Sequence, residues 1–193
     1  DTPNYEAQLM GYAYPWVSGR VLRGMLPYAQ ALAPFTYGFT ETGELVRPDD
    51  EQMRALAKDF GVTTLLHLST LTEQGSFSAQ SAGAVLENET ARAALIRNTV
   101  HAMRDDGFVG VDVDFEFLGK ALAASYAAFL QELSQAVHTA GGYLMAAVAP
   151  KTSDTQPGVL YEGHDYAAIG KAVDQVLLMT YEWGYTYGPP MAV

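Results

Sequence analysis

The chain has 193 residues, 49% of them hydrophobic and 17% charged, the balance of one well-buried globular domain and not of a disordered segment. Twenty-two acidic against 11 basic residues leave a net charge of −11 with no run of Lys or Arg, so no nucleic acid and no membrane surface is expected as partner, whereas a neutral glycan is compatible. The absence of cysteine excludes disulfides, thiolate metal sites and cysteine nucleophiles, and no apolar run approaches the roughly 20 residues of a membrane helix.

In chain order, the first strand is predicted over residues 9–14 and the second over 34–39. Asp49 is placed to cap a helix over 50–60 that stops at Gly61, and a third strand covers 62–69. Asn88 caps a helix running through Ile96 and Val100 to Arg104, before Gly107. A fourth strand is predicted over 108–117. An Ala- and Leu-rich helix over 121–140 ends at Gly141 and Gly142, followed by a strand over 143–149, a short helix over 166–172 and a sixth strand over 175–180.

Short apolar runs alternating with amphipathic ones spell repeated βα units. The reading is an α/β fold, a (β/α)8 TIM barrel of which residues 1–193 hold the first six βα units as one C-terminally incomplete domain. Asp1 opens the chain without a Met, as after processing or trimming. Open barrel edges would invite self-association or a complementing C-terminal segment. The alternative architecture is an open doubly wound sheet, although neither GxGxxG nor a P-loop occurs.

The most informative segment is Phe108-Val-Gly-Val-Asp-Val-Asp-Phe-Glu-Phe117. Side chains alternate faces along a strand, so Gly110, Asp112, Asp114 and Glu116 point one way and Val109, Val111, Val113, Phe115 and Phe117 the other. In a barrel the carboxylates face the axis, with Glu116 nearest the C-terminal mouth where barrel active sites form. Like charges in a poorly solvated interior cannot all stay ionised, and a carboxyl kept protonated is what a glycosidase needs to protonate its leaving group. Two other readings stand beside this one: an edge strand with a solvated acidic face, and an Asp-rich site for magnesium or calcium.

This strand resembles that of glycoside hydrolase family 18, the chitinase-like (β/α)8 barrels whose fourth strand reads Asp-x-x-Asp-x-Asp-x-Glu. Asp112, Asp114 and Glu116 match the last three acids and Gly110 the usual glycine, while Val109 stands where the first Asp normally is, a departure that bears on the family's charge relay. Met179-Thr-Tyr-Glu182 looks like the family's Met-x-Tyr-Asp motif, with Glu182 in place of Asp or Asn. Pro34-Phe-Thr-Tyr-Gly-Phe39, Gly43-Glu-Leu45, Ala149-Pro-Lys-Thr-Ser153, Trp183-Gly-Tyr185 and Gly188-Pro-Pro-Met-Ala192 look more like one branch, the bacterial peptidoglycan and spore-cortex N-acetylglucosaminidases.

The resemblance implies a retaining, substrate-assisted hydrolase with no cofactor and no metal, in which the substrate's 2-acetamido oxygen attacks the anomeric carbon. Glu116 is then the acid and base, Asp114 orients the acetamido group, Asp112 tunes Asp114, and Tyr181 binds the acetyl oxygen. Tyr12, Tyr37, Met179, Glu182 and Trp183 are the candidate substrate contacts. The implied partner is an N-acetylglucosamine polysaccharide of the wall or spore cortex, met outside a bacterial cell during events such as germination. A chitinase with the same chemistry is the second reading. A chitinase-like lectin is the third, and such lectins typically lack the catalytic Glu.

Aromatic residues cluster after the first strand (Tyr12, Tyr14, Trp16) and after the sixth (Trp183, Tyr185, Tyr187), where flat faces suit stacking on sugar rings or simply anchor loops. His67, His101, His138 and His164 have no mutual ligand spacing, so no zinc site is read from them. Lys151 is read as a solvated loop lysine within reach of the mouth, and Asn88-Glu-Thr90 as a cap rather than a glycosylation site.

Overall fold

A computed structural model describes residues 8–180. Its main sheet holds six parallel strands: β1 (Met10–Ala13), β2 (Ala31–Pro34), β5 (Thr63–Ser69), β6 (Gly110–Asp114), β7 (Tyr143–Val148) and β8 (Gln175–Leu178), in that spatial order. A two-stranded antiparallel hairpin, β3 (Gly38–Phe39) with β4 (Leu45–Val46), sits beside it. A doubly wound sheet reverses its strand order at a switch point. The order here never reverses, so the strands are six consecutive βα units of a partial (β/α)8 barrel.

Seven α-helices connect the described strands: α1 (Gly19–Met25), α2 (Glu51–Asp59), α3 (Ala79–Leu86), α4 (Glu89–Asp105), α5 (Ala123–Thr139), α6 (Val159–Glu162) and α7 (Tyr166–Ala172). Asn88 caps α4 by accepting the Ala91 amide at 3.1 Å. Helices α4 and α5 end before Gly107 (φ 75°) and Gly141 (φ 83°), left-handed positions that glycine fills without strain. Helix α2 begins one residue later than expected, with Asp50 and not Asp49 at its N-cap, and that carboxylate does not cap. It instead accepts the Tyr37 hydroxyl and the Arg54 guanidinium, both at 3.0 Å.

Helices α1 and α3 are absent from the predicted elements. Their sequences, GRVLRGM and AQSAGAVL, are short and glycine-containing, so neither is long enough to repeat its apolar spacing. Ser18 and Ser78 cap them, and Gly83 lets α3 approach closely: a β-carbon there would stand 3.3 Å from Leu122 Cδ1.

The largest core lies between the sheet and helices α3, α4 and α5. There Val111, Val113 and Phe115 are fully buried, and Phe115 stacks on Phe129 and Tyr126 with ring centroids 5.6 and 5.4 Å apart. Each such ring contributes about 1.5–3 kcal/mol by burial. The opposite face carries a smaller apolar layer of Ala33, Leu65 and Met145. Gly110 belongs where it is because a β-carbon there would lie 2.4 Å from the Tyr143 carbonyl oxygen. The outward face thus anchors β6, leaving its inward face free to carry acids.

Candidate active site

Strand β6 is shorter than the predicted 108–117. Pairing with β5 ends at Asp114 and pairing with β7 at Val113, so Glu116 projects from the first residues beyond the ladder. Phe117, at φ 57°, turns the chain away and is 54% exposed instead of packing under helices. Val109 is 36% exposed at the strand's entry, the end remote from Glu116.

The acids differ sharply in surroundings. Asp112 is fully buried, and its Oδ2 accepts the Tyr12 hydroxyl at 2.8 Å and lies 2.7 Å from His67 Nδ1. The side chain of Asp114 is 15% exposed, with Oδ2 3.7 Å from His67 Nε2. Glu116 is half-buried. Tyr126 lies fully buried beneath, its phenol pushed up first by that burial and then by the charges of Asp114 and Asp112.

Two adjoining clefts open over these acids. One, of about 300 Å³, is lined by Tyr12, Tyr14, Phe35, His67, Asp114 and Leu177 among others. The other, of about 690 Å³, is lined by Ser69, Phe77, Asp114, Glu116 and Phe117, and shares Tyr14 and Phe35 with the first. Tyr14 stacks on the 77% exposed Trp16, with centroids 4.5 Å apart and planes at 14°, so a flat aromatic platform leads away from the acids. Aromatic walls with few polar groups suit the apolar faces of sugar rings.

Of the expected site residues, the structure brings Asp112, Asp114, Glu116 and Tyr12 together. Tyr37 is not with them. It is 1% exposed, packs on Phe108 and donates its hydroxyl to Asp50; burial, and then the Asp50 charge, push that phenol up. The predicted strand 34–39 misplaced it, because the regular strand ends at Pro34 and Tyr37 rejoins the sheet by a single bridge to Leu68 with its side chain in the core under the helices. Phe35 takes the position at the mouth and stacks on His67 at 5.0 Å. Met179, 5% exposed, packs on Ala147 and Ala149 and lines neither cleft. Tyr181, Glu182, Trp183, Tyr185 and Tyr187 lie outside the described residues.

His67 was not among the expected site residues, yet its side chain is 2% exposed between two of the acids. The available signal was a lone polar residue inside the apolar run Leu65-Leu-His-Leu68. Lys151, half-buried, directs its ammonium to the His164 carbonyl and sits 5.1 Å over the Tyr166 ring, so it does not reach the clefts.

His164 supports the end of strand β6 from behind. It is 1% exposed, accepts the Ala149 amide on Nδ1 at 3.0 Å and donates from Nε2 to the Phe115 carbonyl at 2.7 Å, one residue before Glu116. That pairing requires a neutral ring, because a protonated Nδ1 would confront the Ala149 N–H. Burial, helped by Lys151 and opposed by the Phe115 bond, holds its pKa below the usual histidine value. The unfolded chain therefore binds the proton more readily, so this contribution to stability is complete above about pH 6.5 and is lost as pH falls through the lower folded value. The melting temperature should drop on going from pH 7.5 to 5 and should drop less in His164→Gln; an identical decline in the two proteins would exclude His164 as the cause.

Among the described residues no helix is long and apolar enough to cross a membrane. The model of "Glycosyl hydrolases family 18" matches residues 8–190. The "Cortical fragment-lytic enzyme" of Bacillus subtilis (strain 168) is 40% identical over 167 residues, 86% of this chain and 38% of that protein. The solved Bacillus megaterium spore cortex-lytic enzyme SleL superposes with a TM-score of 0.86 at 32% identity, over 96% of this chain and 44% of that one. A Chromobacterium violaceum chitinase superposes at 0.81 over 91% of this chain and 57% of its own, and at 24% identity it shows the shared fold alone. The chain spans about two fifths of the length of the two cortex-lytic relatives. With the family model running from the first strand past the sixth, this chain belongs to the family 18 glycosyl hydrolases.

Proposed function

We propose that the protein hydrolyses N-acetylglucosamine linkages of peptidoglycan, in the cell wall or spore cortex, by a substrate-assisted retaining mechanism. The observation that carries this reading is the graded set of acids on one strand face, buried Asp112, partly covered Asp114 and cleft-facing Glu116, beneath an aromatic wall. A retaining glycosidase with its own nucleophile needs two carboxylates about 5–5.5 Å apart flanking the sugar ring. Among the described residues the cleft-lining acids sit on one strand and do not flank a ring, which supports the substrate's acetamido oxygen as the nucleophile.

In the first step that oxygen bonds to the anomeric carbon while Glu116 gives its proton to the departing glycosidic oxygen. The product is a cyclic oxazolinium, whose positive charge the Asp114 carboxylate steadies while accepting the acetamido N–H. In the second step the Glu116 carboxylate takes a proton from water as the water oxygen bonds to the anomeric carbon and the bond to the acetamido oxygen breaks, which opens the ring and returns the acid to its starting form. Tyr181 holds the acetyl oxygen by its motif. The acidic surface is no obstacle to a glycan, and a site of action outside a bacterial cell, at the wall or spore, follows from the substrate.

Chitin is the competing substrate, favoured by the 28% identity to a solved class V chitinase of Pseudomonas fluorescens. A sugar-binding lectin is disfavoured because Glu116 is present and lines the cleft. Mass spectrometry of digests separates the first two. Cortex peptidoglycan should yield fragments with N-acetylglucosamine at the reducing end, at rates well above those on chitin oligomers. Faster turnover of chitin oligomers would assign the protein to chitin.

A further inference from the structure

Glu116 sits in a stretch, residues 115–119, that lies beyond the ladders of β6 with β5 and with β7. The segment over 159–164, helix α6 and the turn after it, holds this stretch at both ends. At the near end His164 Nε2 donates to the Phe115 carbonyl at 2.7 Å. At the far end the Gly119 amide donates to the Val159 carbonyl at 3.3 Å. Gly163 packs there so closely that a β-carbon on it would stand 2.9 Å from Leu118 Cβ and 3.2 Å from the Gly119 nitrogen. Its φ of −76° is open to any residue, so the close approach, and not the backbone angle, demands glycine.

His164 also replaces a link of the sheet. Carried past its last pair, Val113 with Ala146, the register of β6 and β7 sets Phe115 opposite Val148. A parallel ladder would next join the Phe115 carbonyl to the Ala149 amide. The imidazole stands between those two groups, with Nδ1 accepting the Ala149 N–H at 3.0 Å. The strand ends therefore separate, where the cleft opens, without leaving either buried backbone group unpaired. The residue is itself held on every side. It is 1% exposed, its amide donates to the Tyr161 carbonyl at 3.1 Å, its carbonyl accepts the Lys151 ammonium, and its ring packs 5.9 Å from that of Tyr126.

We propose that His164 is a positioning residue for the acid: by fixing the Phe115 carbonyl while Val159 and Gly163 fix Leu118 and Gly119, it sets where the Glu116 carboxyl lies in the cleft. A chain anchored on both sides of one residue leaves that residue little freedom to drift. Such anchoring matters because a misplacement of about 1 Å, even from a change remote from the chemistry, costs about 10²-fold in rate. His164 lines neither cleft, so its loss acts on turnover and not on sugar binding.

The inference rests on Glu116 being the acid, and the test keeps the two separate. Three variants of the full chain are compared with wild type. His164→Leu fills the space and removes both side-chain bonds, His164→Gln restores a donor and an acceptor, and Gly163→Ala leaves the imidazole in place while crowding Leu118 and Gly119. Rates on an N-acetylglucosamine oligomer are expressed per molecule competent to bind it, counted by calorimetric stoichiometry, so unfolded protein does not register as lost turnover. His164→Leu should lose about 10²-fold in kcat with KM unchanged, His164→Gln should recover most of that loss, and Gly163→Ala should lose about 10-fold. Hydrogen exchange over residues 116–119 should quicken in His164→Leu and Gly163→Ala while that of α4 stays as in wild type, a readout that needs no turnover. Should His164→Leu fail to fold, Gly163→Ala decides alone. Wild-type kcat in the folded variants, a loss that appears in KM instead, or unchanged exchange overturns the proposal. Glu116→Gln run alongside separates the failures. If it stays active, the reaction is misassigned; if it is dead while the other variants turn over at the wild-type rate, only the positioning role is wrong.

Discussion

Glu116→Gln should lower kcat on N-acetylglucosamine oligomers by about 10²–10⁴-fold, the contribution of a positioned general acid. The substitution preserves shape and removes one transferable proton, which serves both steps of the proposed cycle. Binding should survive, because the aromatic wall of Tyr14, Phe35 and Phe77 is untouched. Folding should survive too, since Glu116 is half-buried beyond the last ladder pair of β6 and the amide keeps the size and shape of the side chain. Kinetics and calorimetric binding of the same oligomer check both halves. Turnover near the wild-type rate would falsify the assignment of Glu116 as the acid.

Deacetylation of the substrate should be as damaging as loss of Glu116. If the acetamido oxygen is the nucleophile, glucosamine oligomers lack the reacting atom and should be inert even where they bind. A thiazoline that mimics the oxazolinium should inhibit, because it resembles the charged intermediate more than the substrate. Asp114→Asn should weaken that inhibition and depress turnover together, since one carboxylate steadies both species. Rates on acetylated and deacetylated oligomers of equal length give the answer directly. Equal rates would require a protein nucleophile, and Glu182 is the first residue to replace.

The alternation in β6 was legible because period two is a local property of an extended chain: Asp112 and Asp114 had to share a face whatever the strand paired with. Capping by Asn88 and the stops at Gly107 and Gly141 were legible for the same reason, as each depends on one turn of backbone. Helix α3 was not, because it is only eight residues long and its stripe of Ala82, Val85 and Leu86 becomes meaningful only when buried in the main core.

The site divides along the same line. The order of acids along one strand, and the nearness of Glu116 to its C-terminal end, were determined by the sequence alone. Which residues meet those acids was decided by tertiary structure. His67 joins the site only through the register that sets β5 beside β6, a pairing that brings together residues 45 apart in the chain. Phe35 replaces Tyr37 at the mouth because the regular pairing of β2 is broken after Pro34, and Tyr37 rejoins β5 beside Leu68 with its hydroxyl on Asp50. Local periodicity sets the direction of a side chain relative to its own strand. The neighbour it meets depends on inter-strand register and on where each ladder ends, and those are properties of the packed sheet.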